Sequence, residues 1–159
     1  MLRLRLAACG LVLALALDST QLASAPPPAR ATLANPAVRL WYEETGRLSQ
    51  NIVQIRDFNL WNSIIGEGSA EENANDALFT VEVRTNGQQN VDGPLTLSAQ
   101  DSNGKVLASR TIRSLLTSDV GRMNAALWVR DVGCAGAVTF SASLGASRQR
   151  AVLNFNCGE

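Results

Sequence analysis

From Val38 onward, apolar and polar residues alternate with a period of two, the signature of strands with one face buried. Val38, Leu40 and Tyr42 alternate with Arg39, Trp41 and Glu43. Phe79, Val81 and Val83 alternate with Thr80, Glu82 and Arg84 within the run 77–85. Further strands are expected at 58–65 (FNLWNSII), 95–99, 105–112, 125–130, 138–144 and 147–155. Between the first two runs the pattern stays open. Leu48, Ile52 and Ile55 suit a short helix, whereas Val53 and Ile55 suit a strand. Residues 114–121 read as a connection with one helical turn. Six to eight short strands with turn signals every 8–12 residues predict an all-β fold, an antiparallel sandwich with Greek-key connections.

Two turns set the pairing expected of their strands. Asn103-Gly104 lies between alternating runs, and both residues tolerate positive φ, so 95–99 and 105–112 should form a hairpin. Gly145-Ala146 places glycine first in a two-residue loop, the type II′ preference. A hairpin about it pairs Leu144 with Ser147, Ala142 with Gln149, Phe140 with Ala151 and Val138 with Leu153. Those residues share a mostly apolar face. Thr139, Ser141, Ser143, Arg150, Asn154 and Asn156 share the other, with Val152 the exception. A slip of one residue would turn the apolar set to solvent. Continued outward, this register brings Gly136 to Phe155 and Cys134 to Cys157.

The strand pattern resembles immunoglobulin-like sandwiches in general architecture. The inter-sheet Cys…Trp…Cys arrangement of that group is missing, because both remaining cysteines fall in the last third of the chain.

The first 25 residues read as a signal peptide. Arg3 and Arg5 form a basic start, Leu6 to Leu17 is an apolar stretch, and Ala23-Ser24-Ala25 is a small-x-small cleavage pattern. The stretch is too short for a membrane span. Leu6-Ala7-Ala8-Cys9 mimics a lipobox, but most of the apolar residues follow Cys9 instead of preceding it. Residues 26–37 (PPPARATLANPA) then read as a proline-rich extended leader, with the sandwich domain at 38–159. An exported, periplasmic or secreted chain with two cysteines suggests one intra-domain disulfide, Cys134–Cys157. In the chain-entropy model such a closure stabilises by roughly 3 kcal/mol.

Charge and composition narrow the function classes. Cleavage removes Arg3, Arg5 and Asp18 from the 14 basic and 14 acidic residues, leaving a net charge of −1 and no electrostatic footprint for nucleic acid. The chain has no histidine, which removes His-based triads and HExxH zinc sites. No serine sits in GxSxG, and Gly66 and Gly68 do not open a phosphate loop. No catalytic residue and no cofactor is expected.

Two constellations remain. Glu67, Glu71, Glu72 and Asp76 crowd the loop 66–76; as oxygen ligands they are a weak calcium candidate, since the spacing matches no EF-hand. Trp41, Tyr42, Trp61 and Trp128 are a candidate ligand platform. Trp41 and Trp128 are out of phase with their core-facing neighbours, which sets them on an outer face or an edge. The expected function is a non-enzymatic exported module binding a protein or cell-envelope partner. The alternative is a carbohydrate-binding module that stacks sugar rings on Trp and Tyr. A carboxylate hydrolase ranks third.

Overall fold

A computed structural model describes residues 31–60 and 68–156. The expected signal peptide, Trp61, Glu67 and Cys157 lie outside the described residues. The elements are β1 (Thr32–Tyr42), β2 (Arg47–Leu48), a 3₁₀ turn (Ile52–Gln54), β3 (Asp76–Arg84), β4 (Asn90–Gln100), β5 (Val106–Leu116), β6 (Arg122–Val129), β7 (Gly136–Leu144) and β8 (Ser147–Phe155). They form two antiparallel four-stranded sheets. Sheet A has the order β2-β1-β3-β6 and sheet B the order β5-β4-β7-β8. The chain crosses from A to B after β3, back after β5, and over again after β6.

Alternation explains the layering. The inward set includes Val38, Leu40, Phe79, Val81, Val83, Leu95, Leu97, Val129, Val138, Phe140 and Phe155, all fully buried. Aromatic rings cross the interior in sequence. Phe79 of sheet A lies 5.6 Å from Phe140 of sheet B, Phe140 lies 6.0 Å from Phe155, and Phe155 lies 5.8 Å from Phe58.

The β7–β8 hairpin has the register expected from its turn, running from Leu144↔Ser147 to Gly136↔Phe155. Gly145 takes φ 54, and Ala146 does not follow it to positive φ, as a type II′ loop requires. The Asn103-Gly104 hairpin forms with a different turn. Only Gly104 has positive φ; its N–H donates to Asp101 O, and Asp101 Oδ1 accepts from Asn103 N and Lys105 N. This is a turn closed by an aspartate and a glycine bulge, not a two-residue Asn-Gly loop.

Other boundaries differ from the sequence reading for local reasons. Strand β1 begins at Thr32, inside the expected leader; a bulge between Ala34 and Ala37, with Asn35 at φ 50, carries Pro36 within the strand. Strand β4 begins at Asn90 and passes Pro94 through a bulge at Gly93, before its pairing with β7 starts at Leu95. Strand β5 runs on to Leu116, where a helical turn was expected. The ambiguous segment resolves as the 3₁₀ turn, capped by Asn51 Oδ1, which accepts from Val53 N. Of the expected strand 58–65, residues 61–65 lie outside the described residues, and Asn59 makes an isolated bridge to Asn154.

Side chains satisfy the free edge of β1. Ser49 Oγ accepts from Leu40 N and Asn51 Oδ1 from Val38 N. Further along, Ser147 Oγ accepts from Leu33 N, while Gln149 Nε2 donates to Leu33 O. On the opposite side of the sandwich, Arg110 Nη1 of β5 donates to Ala126 O of β6. The loops where the chain changes sheets at β3–β4 and β5–β6 are tied by the buried Thr117. Its hydroxyl lies 2.7 Å from Thr85 Oγ1 and accepts from Gln89 N at 3.0 Å. Gly121 closes the second loop at φ 72, where a Cβ would collide with Thr85 O.

Replacing Phe140 with alanine removes the ring that contacts both Phe79 and Phe155. Chemical denaturation should show a loss of about 3–5 kcal/mol. A loss below about 1 kcal/mol would mean that the sheets do not meet through these rings.

Candidate functional site

Strand pairing gathers an apolar patch on the outer face of sheet A. Directly paired residues in an antiparallel sheet share a face. Trp41 pairs with Leu48 on one side and Asp76 on the other. Leu78 pairs with Arg39 on β1 and with Trp128 on β6. Leu48, Trp41, Leu78 and Trp128 therefore lie together across all four strands. Leu48 and Trp128 are each 41% exposed, and Trp41 and Leu78 are half-buried. The two indoles meet edge to face, with centroids 5.6 Å apart and planes at 63°.

Asp76 locks this arrangement. Its Oδ2 accepts from Trp128 Nε1 at 2.8 Å, and its Oδ1 accepts from Asp131 N at 3.1 Å. The indole is thus held in one orientation with its polar edge occupied and its apolar surface outward. Arg39 stands in the next row, half-buried beside Leu78. Farther along the face, Glu82 accepts from Arg84 Nε at 3.0 Å and from Asn35 Nδ2 at 2.7 Å, and lies 3.5 Å from Arg122. The Arg84 hydrogen bonds, then Asn35 and the two guanidinium charges, hold the Glu82 carboxyl below the ordinary glutamate range against the opposing effect of burial.

The outer face of sheet B is different in kind. Thr96, Ser98 and Gln100 of β4 pair with Ser143, Ser141 and Thr139 of β7, giving a floor of short polar side chains. Val152, 53% exposed, interrupts it. A recess of ≈ 990 Å³ at the end of the strands away from Trp41 is lined by residues including Thr32, Asn90, Asp92, Leu144 and Ser147, none of them a site residue expected from sequence.

Of the expected platform, Trp41 and Trp128 come together. Tyr42 does not join them: it is 3% exposed, points into the core, and its hydroxyl accepts from Glu71 N. Leu48 and Leu78 were missed. Leu78 follows from the alternation of β3, whereas Leu48 depends on the two-residue strand β2. The described carboxylates of the acidic loop are engaged at different places. Glu72 bonds Thr45 Oγ1 and Arg47 Nη2, and Asp76 is engaged at Trp128. For Glu72, burial disfavours the charge, but the bonds from Thr45 and Arg47 outweigh it and lower its pKa. Among the described residues no group of three or more Asp, Glu, Cys or His is placed to hold a metal ion. No described helix is long and apolar enough to cross a membrane.

No family model and no curated protein matches the chain. Among solved structures it is similar to a Bifidobacterium dentium beta-glucuronidase complexed with coumarin-3-O-glucuronide, with 19% identity and a TM-score of 0.38. That match covers 80% of this chain and 18% of the glucuronidase chain, so the chain spans under one fifth of that protein's length. It is also similar to the ligand binding region of Serine-glutamate repeat protein A (SgrA) of Enterococcus faecium, with 11% identity and a TM-score of 0.30 over 50% of this chain and 76% of that one. Both likenesses are too distant to carry a functional argument.

Because the Glu82 carboxyl is held below its ordinary range, its charge stabilises the fold above about pH 4.3, and that contribution is lost as the pH falls through the lowered value. Thermal melts of the native protein and Glu82→Gln should differ at neutral pH and converge as the pH falls through the lowered Glu82 pKa. A difference that is constant with pH would show that the Arg84–Glu82–Arg122 contacts carry no such linkage.

Proposed function

We propose that this protein is an exported, non-enzymatic binding module that docks a protein or cell-envelope partner on the outer face of sheet A. The observation that carries the reading is the Leu48–Trp41–Leu78–Trp128 patch, an apolar surface spread over four strands with one indole held by Asp76. Isolated exposed apolar residues are ordinary, but a contiguous aromatic patch on a sheet face is characteristic of an interaction surface. A partner is favoured over the stacking of sugars because the indoles meet at 63° and present no pair of coplanar faces. Export is supported by the basic, apolar and small-x-small succession of residues 1–25.

In this reading the architecture is an immunoglobulin-like Greek key. Setting aside the two-residue β2, the first, second and fifth strands share sheet A, and the remaining four share sheet B. We also assign a disulfide between Cys134 and Cys157. The support is the paired register running out to Gly136↔Phe155 together with the sequence spacing, since 134 and 157 are the next same-face pair if that register is extended.

A photo-crosslinking residue introduced at Leu48 or Leu78 should yield adducts in the native host, and one at Ser98 on sheet B should not. Adducts from Ser98 alone would overturn the assignment of the face. Quenching of Trp128 emission by soluble glycans would transfer the reading to carbohydrate. For the disulfide, intact mass of the unreduced chain should fall about 2 Da below that of the reduced chain. Two alkylatable thiols in the unreduced protein would contradict it.

A further inference from the structure

We infer that the segment docking on sheet A is acidic as well as apolar: an extended protein segment whose carboxylate meets Arg39 while a neighbouring aliphatic or aromatic side chain covers Trp128. This rests on the outer face of sheet A being the docking surface. The charges on that face decide the partner's sign. Its carboxylates are already engaged, Asp76 by Trp128 Nε1 and Asp131 N, and Glu82 by Arg84, Arg122 and Asn35. Arg39 differs. Among the described residues its guanidinium makes no hydrogen bond, ion pair or ring contact. It is nevertheless half-buried, in the same row as Leu78 and Trp128 and two residues from Trp41.

Together Arg39, Arg84 and Arg122 outnumber Asp76 and Glu82 on this face, although the exported chain as a whole has a net charge of −1. Arg84 and Arg122 lie farther along the face at Glu82, and Arg39 is the arginine that pairs with Leu78 inside the apolar patch. A guanidinium beside an apolar surface is weakly hydrated and offers a planar fork that suits a carboxylate. A basic partner would bring its charge against Arg39 with Asp76 and Glu82 occupied, which the arrangement opposes.

The test is to pan a displayed library of random short peptides against the protein expressed as the full chain. The affinity of an enriched peptide is then measured for the native protein, Arg39→Glu, Trp128→Ala and the sheet B control Arg148→Glu. The expected result is enrichment of carboxylates next to apolar residues. Binding should fall about tenfold or more in Arg39→Glu and Trp128→Ala, hold in Arg148→Glu, and recover in Arg39→Glu when the peptide carboxylate is replaced by lysine. Peptides that lose affinity in Trp128→Ala but lack carboxylates, or ignore Arg39→Glu, overturn the acidic assignment and leave the docking face standing. Absence of enrichment, or peptides unaffected by Trp128→Ala, overturns both.

Discussion

The structure depends on aromatic contact between its two sheets. Phe79 reaches from sheet A to Phe140 of sheet B, and Phe155 extends the contact to Phe58 outside the sheets. Antiparallel strands with a period-two pattern have one face that must leave water, and two such faces do so by closing on each other. Once those rings are inside, every residue one position out of phase with them is committed to an outer face. Trp41 and Trp128 are out of phase, so the packing that buries the phenylalanines also displays the tryptophans.

Closing two sheets leaves strand edges with unpaired backbone groups, and these are met here by specific side chains. Ser49, Asn51, Ser147 and Gln149 take the edge of β1, and Arg110 takes a carbonyl on β6. Such contacts block the addition of another strand at those positions. The two outer faces differ in composition, sheet B carrying serine and threonine and sheet A the aromatic patch.

What could be read from the sequence followed the range of the forces involved. The β7–β8 register was legible because turn chemistry and alternation are both local, and they agree on Gly145 and on Leu144↔Ser147. The start of β1 at Thr32 was not legible, because prolines argue against a strand, and what holds it lies far along the chain: its pairing with Arg84 and Val83 of β3 and the contacts of Ser147 and Gln149 with Leu33. Tyr42 shows the limit in the site. Composition grouped it with the tryptophans, while its phase with Val38 and Leu40 already assigned it to the core, as the structure confirms. The pairing of Arg39 with Leu78, and of Leu78 with Trp128, required the strand order of sheet A, which no local pattern contains.

Side-chain footprinting with hydroxyl radicals, read by mass spectrometry, tests the division into inner and outer faces most directly. Trp128, Leu48 and Val152 should label strongly, with Tyr42, Phe79, Phe140 and Phe155 protected in the same sample. Strong labelling of Phe79 or Phe140, with Trp128 protected, would contradict the account.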